Sequence, residues 1–267
     1  MTYAHAPGQY PLGHIHREEP DISREIIRGG DVIQQSPGFG GAMRIRTKNG
    51  QLYVVTGNTH DASAATRGIV AARLARSVGL SVPDFALVDL GGCAEFVARR
   101  REWAGRWAFG SLVPGRSVFD YLPQEFHSEL GNLEQLELWP LFDAWIANRV
   151  PPRGVFALSR VGAVKAYKIG HGRTFAGFQQ SRWNFRYSHA GERGRLLSHT
   201  PEAERFRELI KNVGPISVGR MLCGLPAELV PLAWIAHLQE GLPYRSHHLD
   251  ELSLLEPEPP SAGAAKR

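Results

Sequence analysis

With 267 residues, 43% hydrophobic and 21% charged, the chain has the make-up of a soluble globular protein of one large domain or two small lobes. Its formal charge is +5, carried mostly by arginine; the only lysines are Lys48, Lys165, Lys168, Lys211 and Lys266. Cys93 and Cys223 are far apart and form no CxxC pair, and no apolar run reaches the ~20 residues that cross a bilayer, which argues against a disulfide scaffold, a cysteine metal site and a helical membrane protein.

Residues 1–20 are rich in Pro, Gly and His and read as an extended arm, with no basic segment followed by an apolar run of the kind that marks a signal peptide. A cytoplasmic location is expected. Asp21 to Gln35 reads as a short helical or turn segment followed by polar residues. Gly38, Gly40 and Gly41 then precede a hairpin: Met43, Ile45 and Thr47 alternate with Arg44, Arg46 and Lys48, Asn49-Gly50 turns the chain, and Leu52 to Val55 runs back. A helix is predicted over Ala64–Val78 from the stripe Ile69, Val70, Leu74 and Val78, ending at Gly79. A strand follows from Pro83 to Leu90, and another over Ala94–Ala98. Arg99, Arg100, Arg101 and Arg106 surround Trp103 and Trp107 in a basic loop, a pattern that solvated loops and single-stranded nucleic-acid grips share.

The strand WAFGSLVPG leads to residues 114–120, and the next helices place Leu122, Phe126, Leu130, Leu133, Leu136 and Leu138 in the core. Leu141, Phe142, Trp145 and Ile146 continue on one helical face. A Pro/Arg loop, a strand from Gly154 to Ser159, a turn and a strand from Val164 to Ile169 form a second hairpin, closed by a turn at Gly170–Gly172. Trp183 and Phe185 read as packing anchors. Thr200 caps a helix to Lys211, with Pro201 in its first turn. Further helices are expected over Ile216–Cys223 and Leu225–Leu238, then a segment opened by Pro243 that ends at Leu255. Residues 256–267 are a Pro/Glu/Ala tail expected to be disordered.

The central segment resembles the HipA-like kinase family. Members of its short branch typically read FDLWTxNxDxRQAVF and then IDHGxxF; this chain reads FDAWIANRVPPRGVF and IGHGRTF. Phe142, Asp143, Trp145, Asn148, Val155, Phe156, His171, Gly172 and Phe175 keep the frame. GLSVPDFALVDL likewise resembles the family's GLPVPxxxLVEL. The resemblance implies an α+β, two-lobed protein-kinase-like fold: a small β-rich N-lobe over residues 21–113, five-stranded with one helix, and a mainly helical C-lobe over residues 114–255.

The same alignment removes the chemistry. Val150 stands where the catalytic Asp is expected and Gly170 where the Mg²⁺-binding Asp is expected, leaving Asn148 and His171 as the residual catalytic candidates. Thr56 replaces the phosphate-binding Lys, and Arg67-Gly68 replaces the Asn-Glu whose Glu holds that Lys. Phosphoryl transfer needs a cationic grip on phosphate, carboxylate-held Mg²⁺ and a positioned base; Val and Gly supply none of these. The resemblance therefore implies a pseudokinase used as a ligand-binding or regulatory module. Candidate nucleotide- or anion-binding residues are Gly38, Gly40, Gly41, Thr56, Leu112, Arg149 and Arg153, with an adenine expected near residues 112–115. ATP is left open as a ligand, Mg²⁺ is not expected, and no metal site is assigned. An unidentified protein partner and a nucleotide or other phosphate-bearing ligand are the expected partners. Two alternatives stand: an active ATP-dependent Ser/Thr kinase or other nucleotide-using transferase, and a nucleic-acid-associated regulator, suggested by the Arg/Trp loop and by the family's DNA-binding antitoxin partners. No membrane partner is expected.

Overall fold

The computed structural model describes residues 26–37, 42–57, 63–92, 106–114, 117–119, 130–148, 153–158, 163–169, 174–175, 200–230 and 232–249. The arm at 1–20, the tail, the strand expected over Ala94–Ala98, and Leu122, Phe126, Trp183 and Phe185 lie outside the described residues. Among the described residues no helix is long and apolar enough to cross a membrane.

The N-terminal part is a six-stranded sheet with one long helix. In chain order the strands are β1 (Ile26–Arg28), β2 (Val32–Pro37), β3 (Met43–Thr47), β4 (Leu52–Thr56), β5 (Phe85–Asp89) and β6 (Trp107–Leu112), with helix α1 (Ala64–Ser77) between β4 and β5. Their spatial order is β1-β5-β6-β4-β3-β2. The sheet has one strand more than the resemblance implies. Where a helical or turn segment was expected, Ile26–Arg28 pairs parallel with β5, a 3₁₀ turn spans Gly29–Asp31, and β2 pairs antiparallel with β3 across an irregularity between Val32 and Gln34. Three residues are too few to show alternation, and the irregularity in β2 breaks its period.

The β3–β4 hairpin forms as expected. Met43, Ile45 and Thr47 are buried and Arg44 and Arg46 exposed, and Gly50 takes φ +82 in the turn, a conformation that glycine adopts without strain. Buried Met43, Ile45, Tyr53, Val55, Ala86, Val88 and Ala108 form a core on one face of the sheet. Helix α1 covers part of the opposite face: Ile69, Val70 and Leu74 join Phe85 and Leu87 in a second core.

That second core continues without a break into the C-terminal part. It includes Leu141, Phe142, Trp145 and Ile146 of α2 (Gln135–Trp145), Ala203, Phe206 and Ile210 of α3 (Pro201–Lys211), Val218 and Leu222 of α4 (Pro215–Leu222), and Trp234, Leu238 and Leu242 of α5 (Leu232–His247). Polar bonds fasten the same junction. Arg73 of α1 donates to the carbonyls of Met221 and Cys223 at 2.6 and 3.3 Å, and Thr66 donates to Leu229 O at 2.9 Å. Thr200 accepts from Ala203 N and caps α3 as its sequence predicts.

Two sequence expectations are corrected here. Leu133 is 59% exposed, because it lies in the turn before α2 and not on a helix face. Pro243 does not open a new segment; α5 runs through it. A proline inside a helix removes one backbone bond, but Leu238 and Leu242 are fully buried and Trp145 Nε1 donates to Leu242 O at 3.0 Å, so packing on α2 carries the helix past it.

A second sheet, in the order β7-β8-β9, comprises β7 (Ser117–Phe119), β8 (Arg153–Leu158) and β9 (Val164–Ile169). The outer edge of β9 is occupied by other parts of the chain. Asn132 acts as a backbone mimic, accepting from Ala166 N and donating to Ala166 O, both at 2.8 Å; Gly131 N donates to Val164 O, and Lys168 N donates to Ser81 O.

Gly154 in β8 lies against the Trp139 ring of α2, and a Cβ there would overlap that ring and meet Tyr167 O at 3.0 Å. Overpacking of this kind costs about 1–3 kcal/mol. Gly154→Ala is expected to lower the unfolding free energy by that order, read as a lower urea midpoint with little change in slope.

Candidate functional site

The loop expected to carry catalysis leaves the C-terminus of α2, and four described side chains fix that end. Ala147 N donates to Ala144 O at 3.3 Å and Asn148 N to Asp143 O at 2.8 Å, a Schellman arrangement with Ala147 in the left-handed position at φ 52. Glycine usually holds that place, so Ala147 carries backbone strain. Asp143 is fully buried. Its carboxylate takes Asn148 Nδ2 at 2.8 Å and forms an ion pair of 3.0 Å with Lys168 Nζ, itself fully buried on β9. Lys168 Nζ also donates to Ile169 O at 3.0 Å.

Arg245 reaches over from α5. Its guanidinium donates to Trp145 O at 2.8 Å and to Ala144 O, placing a cation at the negative end of the α2 dipole. Burial pushes Arg245 down to about 9, which leaves it charged at neutral pH. Two cationic side chains and one carboxylate are thus spent on fixing one helix end. Asn148, a residual catalytic candidate, is 3% exposed and engaged with Asp143. Arg149, Val150, Gly170 and His171 lie outside the described residues. Arg153 opens β8, and its side chain also lies outside them.

The sheet face on the α1 side is the second half of the site. Thr56 ends β4 exposed and pairs with Phe109 of β6; its hydroxyl donates to Phe109 O at 3.5 Å. Gly68 of α1 meets the same residue, for a Cβ there would come within 2.7 Å of Phe109 Cγ. The positions where the resemblance expects the Lys and the Glu therefore both meet Phe109, Thr56 at its backbone and Gly68 at its ring. A Glu at position 68 would have to displace that ring. Gly38, Gly40 and Gly41 lie outside the described residues.

At the end of β6, Leu112 N donates to Asp84 O at 2.7 Å and Val113 N to Leu52 O at 2.8 Å. Pro114 has no N–H. The described donors at residues 112–114, where an adenine was expected to bond, are already spent within the chain.

Part of the Arg/Trp loop is likewise engaged internally. Arg106 forms a two-pronged bond to Asp89, at 2.7 and 2.6 Å, and Trp107 Nε1 donates to Glu228 Oε1 at 3.1 Å. Arg99, Arg100, Arg101 and Trp103 lie outside the described residues. The hydrogen bond from Arg106 holds the Asp89 carboxyl below its ordinary range. A depressed carboxylate adds stability above its unfolded pKa and loses that stability as pH falls through its folded value. Arg106→Ala is expected to reduce the acid-side slope of stability below about pH 4, read as urea midpoint against pH.

Sequence reasoning took Asp143 as a frame residue but missed its partner. Lys168 is one of six residues in β9 and falls in phase with buried Val164 and Ala166, so its position alone placed it on the inner face. Removing one member of a buried ion pair costs about 3–5 kcal/mol, whereas replacing both by apolar residues of similar volume is often near neutral. Lys168→Met is expected to destabilise by that order, and Asp143→Leu combined with Lys168→Met by markedly less, as measured in a double-mutant cycle by urea unfolding.

Comparison with solved structures gives the fold an independent anchor. The chain is similar to a proinflammatory kinase of Helicobacter pylori, CtkA, with a TM-score of 0.52 at 11% identity over 79% of this chain and 92% of that one. At that identity the likeness concerns the fold: an α+β, kinase-like fold with a β-sheet N-lobe followed by helices. No curated protein sequence matches. The family model described as HipA-like kinase matches residues 32–150, a span that holds the β2–β6 sheet, α1 and the whole of α2, so that segment is similar to the HipA-like kinases.

Proposed function

We propose that this protein is a pseudokinase, a kinase-fold module that binds a phosphate-bearing ligand or a protein partner and regulates without transferring phosphate. The observation that carries this reading is the convergence of Thr56 and Gly68 on Phe109. In an active kinase the equivalent space holds a Lys–Glu ion pair that must be in place for catalysis. Here one position lacks the cation, the other lacks the anion, and the Phe109 ring takes the space that a side chain at position 68 would need. The pattern is internally consistent, because a buried Glu without its Lys would be an unpaired charge.

Val150 and Gly170 add the loss of the base and of the metal ligand. Each missing charged contribution costs on the order of 3–4 kcal/mol of transition-state stabilisation. Such losses are not additive, yet even two of them remove activity by orders of magnitude. The buried Asp143 does not replace either acid, since its carboxylate is already engaged by Lys168 and Asn148.

The test is incubation of the purified protein with γ-labelled ATP and Mg²⁺, followed for autophosphorylation by intact mass and for ATP hydrolysis. Neither is expected above the buffer rate, and Thr56→Lys alone is expected not to raise it. Mg²⁺-dependent label transfer that Lys or Asp substitutions abolish would return the chain to the active kinases.

A further inference from the structure

The part of the α1-side sheet face that α1 does not cover carries two arginines that the resemblance to active kinases does not use. Cross-strand partners share a face. Arg44 pairs with Val54 and Arg46 with Leu52 on one side, and with Ser36 and Gln34 on the other. Thr56 stands two residues beyond Val54 on the same strand and so on the same face. The Phe109 register places that face on the α1 side. Both arginines therefore project where Thr56 projects, about 7 Å along the strand from it in the case of Arg44's partner.

These side chains form a cavity of about 150 Å³ lined by Gln34, Ser36, Arg44, Arg46 and Leu52. Arg46 is steadied by a bond from Nη1 to Gly50 O at 3.2 Å. Among the described residues Arg44 is exposed and makes no hydrogen bond or ion pair. The lining thus offers two guanidinium forks, a hydroxyl and an amide, and no carboxylate. Arginine forks match phosphate oxygens in pairs. The volume is below the ~300 Å³ at which pockets for whole drug-sized ligands begin, and so suits one phosphate group of a larger molecule or a free inorganic anion.

We propose that Arg44 and Arg46, with Ser36 and Gln34, form a metal-independent binding site for a phosphate group, taking over from the strand β3 side the cationic role that Thr56 cannot fill. This rests on the pseudokinase reading and names the ligand chemistry of its cleft. With the described N–H groups of Leu112 and Val113 already bonded, recognition is through the phosphate end, and a base adds little.

The experiment is calorimetric titration of the full chain in EDTA with sodium pyrophosphate and, separately, with ATP, for the natural sequence, Arg44→Ala, and Arg44→Ala combined with Arg46→Ala. Thermal melting checks that the exposed substitutions leave the fold intact. Saturable pyrophosphate binding, weakened on the order of tenfold by Arg44→Ala, is expected, and it should fall with added salt. Equal affinity for ATP assigns the site to the phosphate end alone; tighter ATP binding that is still lost in the double variant assigns it to a nucleotide. The proposal is overturned if neither probe binds, or if the double variant binds as the natural sequence does. Phosphoryl transfer from ATP in Mg²⁺ would sink the pseudokinase reading instead, whatever the arginine variants show.

Discussion

The architecture of the C-terminal part turns on a buried charge pair. Asp143 and Lys168 both lie out of contact with water, on a helix and a strand separated by the whole of the β8–β9 hairpin turn. Withdrawing either charge from water without the other is far costlier than withdrawing the two together, so helix and strand are held in one register. Asn148 satisfies a further carboxylate lone pair, and Arg245 neutralises the helix end from the opposite side. Asn148 at the end of α2 and Ile169 at the end of β9, from which the next two segments depart, are consequently held in a fixed relation. Evolution can change what those two segments carry while this frame keeps the fold.

A second constraint acts at the junction of the sheet with the helices. Helix α1 shares a core with α2, α4 and α5 and sends Arg73 and Thr66 into the carbonyls of the far side. Arg73 stabilises α4 by capping the carbonyls of its last turn. A kinase at work closes and opens its lobes about the nucleotide. Here the helix that would move with the N-lobe is anchored in the C-lobe by apolar contact and by buried bonds. The Phe109 ring of β6 packed against Gly68 of α1 fits that rigidity, since a ring between strand and helix resists the approach and withdrawal of the two.

Much of the fold was legible in the residues, for identifiable reasons. The alternation in Met43–Thr47, the Asn49-Gly50 turn and the stripe on α1 are local signals, and the elements lie within a residue or two of where they were expected. Strand β1 was not legible because its pairing with β5 is parallel and spans some sixty residues, which no local pattern reports. Pro243 misled because packing overrode propensity, through Leu238, Leu242 and the Trp145 bond. In the site, Thr56 and Gly68 could be read as losses, but not that both would meet Phe109. That is a fact of cross-strand register and helix packing. The arginines of β3 were visible as the outward half of an alternation; that outward meant the face of Thr56 became clear only with the strand order.

The closed edge of β9 has a consequence beyond the site. A strand at the margin of a sheet ordinarily offers a row of free N–H and C=O groups to any passing chain. In β9, Asn132 takes both groups of Ala166, Gly131 takes Val164 O, and Ser81 O takes Lys168 N. The small three-stranded sheet therefore presents no template there for intermolecular pairing. Any folded chain has to remain dispersed at working concentration, and Asn132 in the turn before α2, with Gly131 and Ser81 beside it, serves that need.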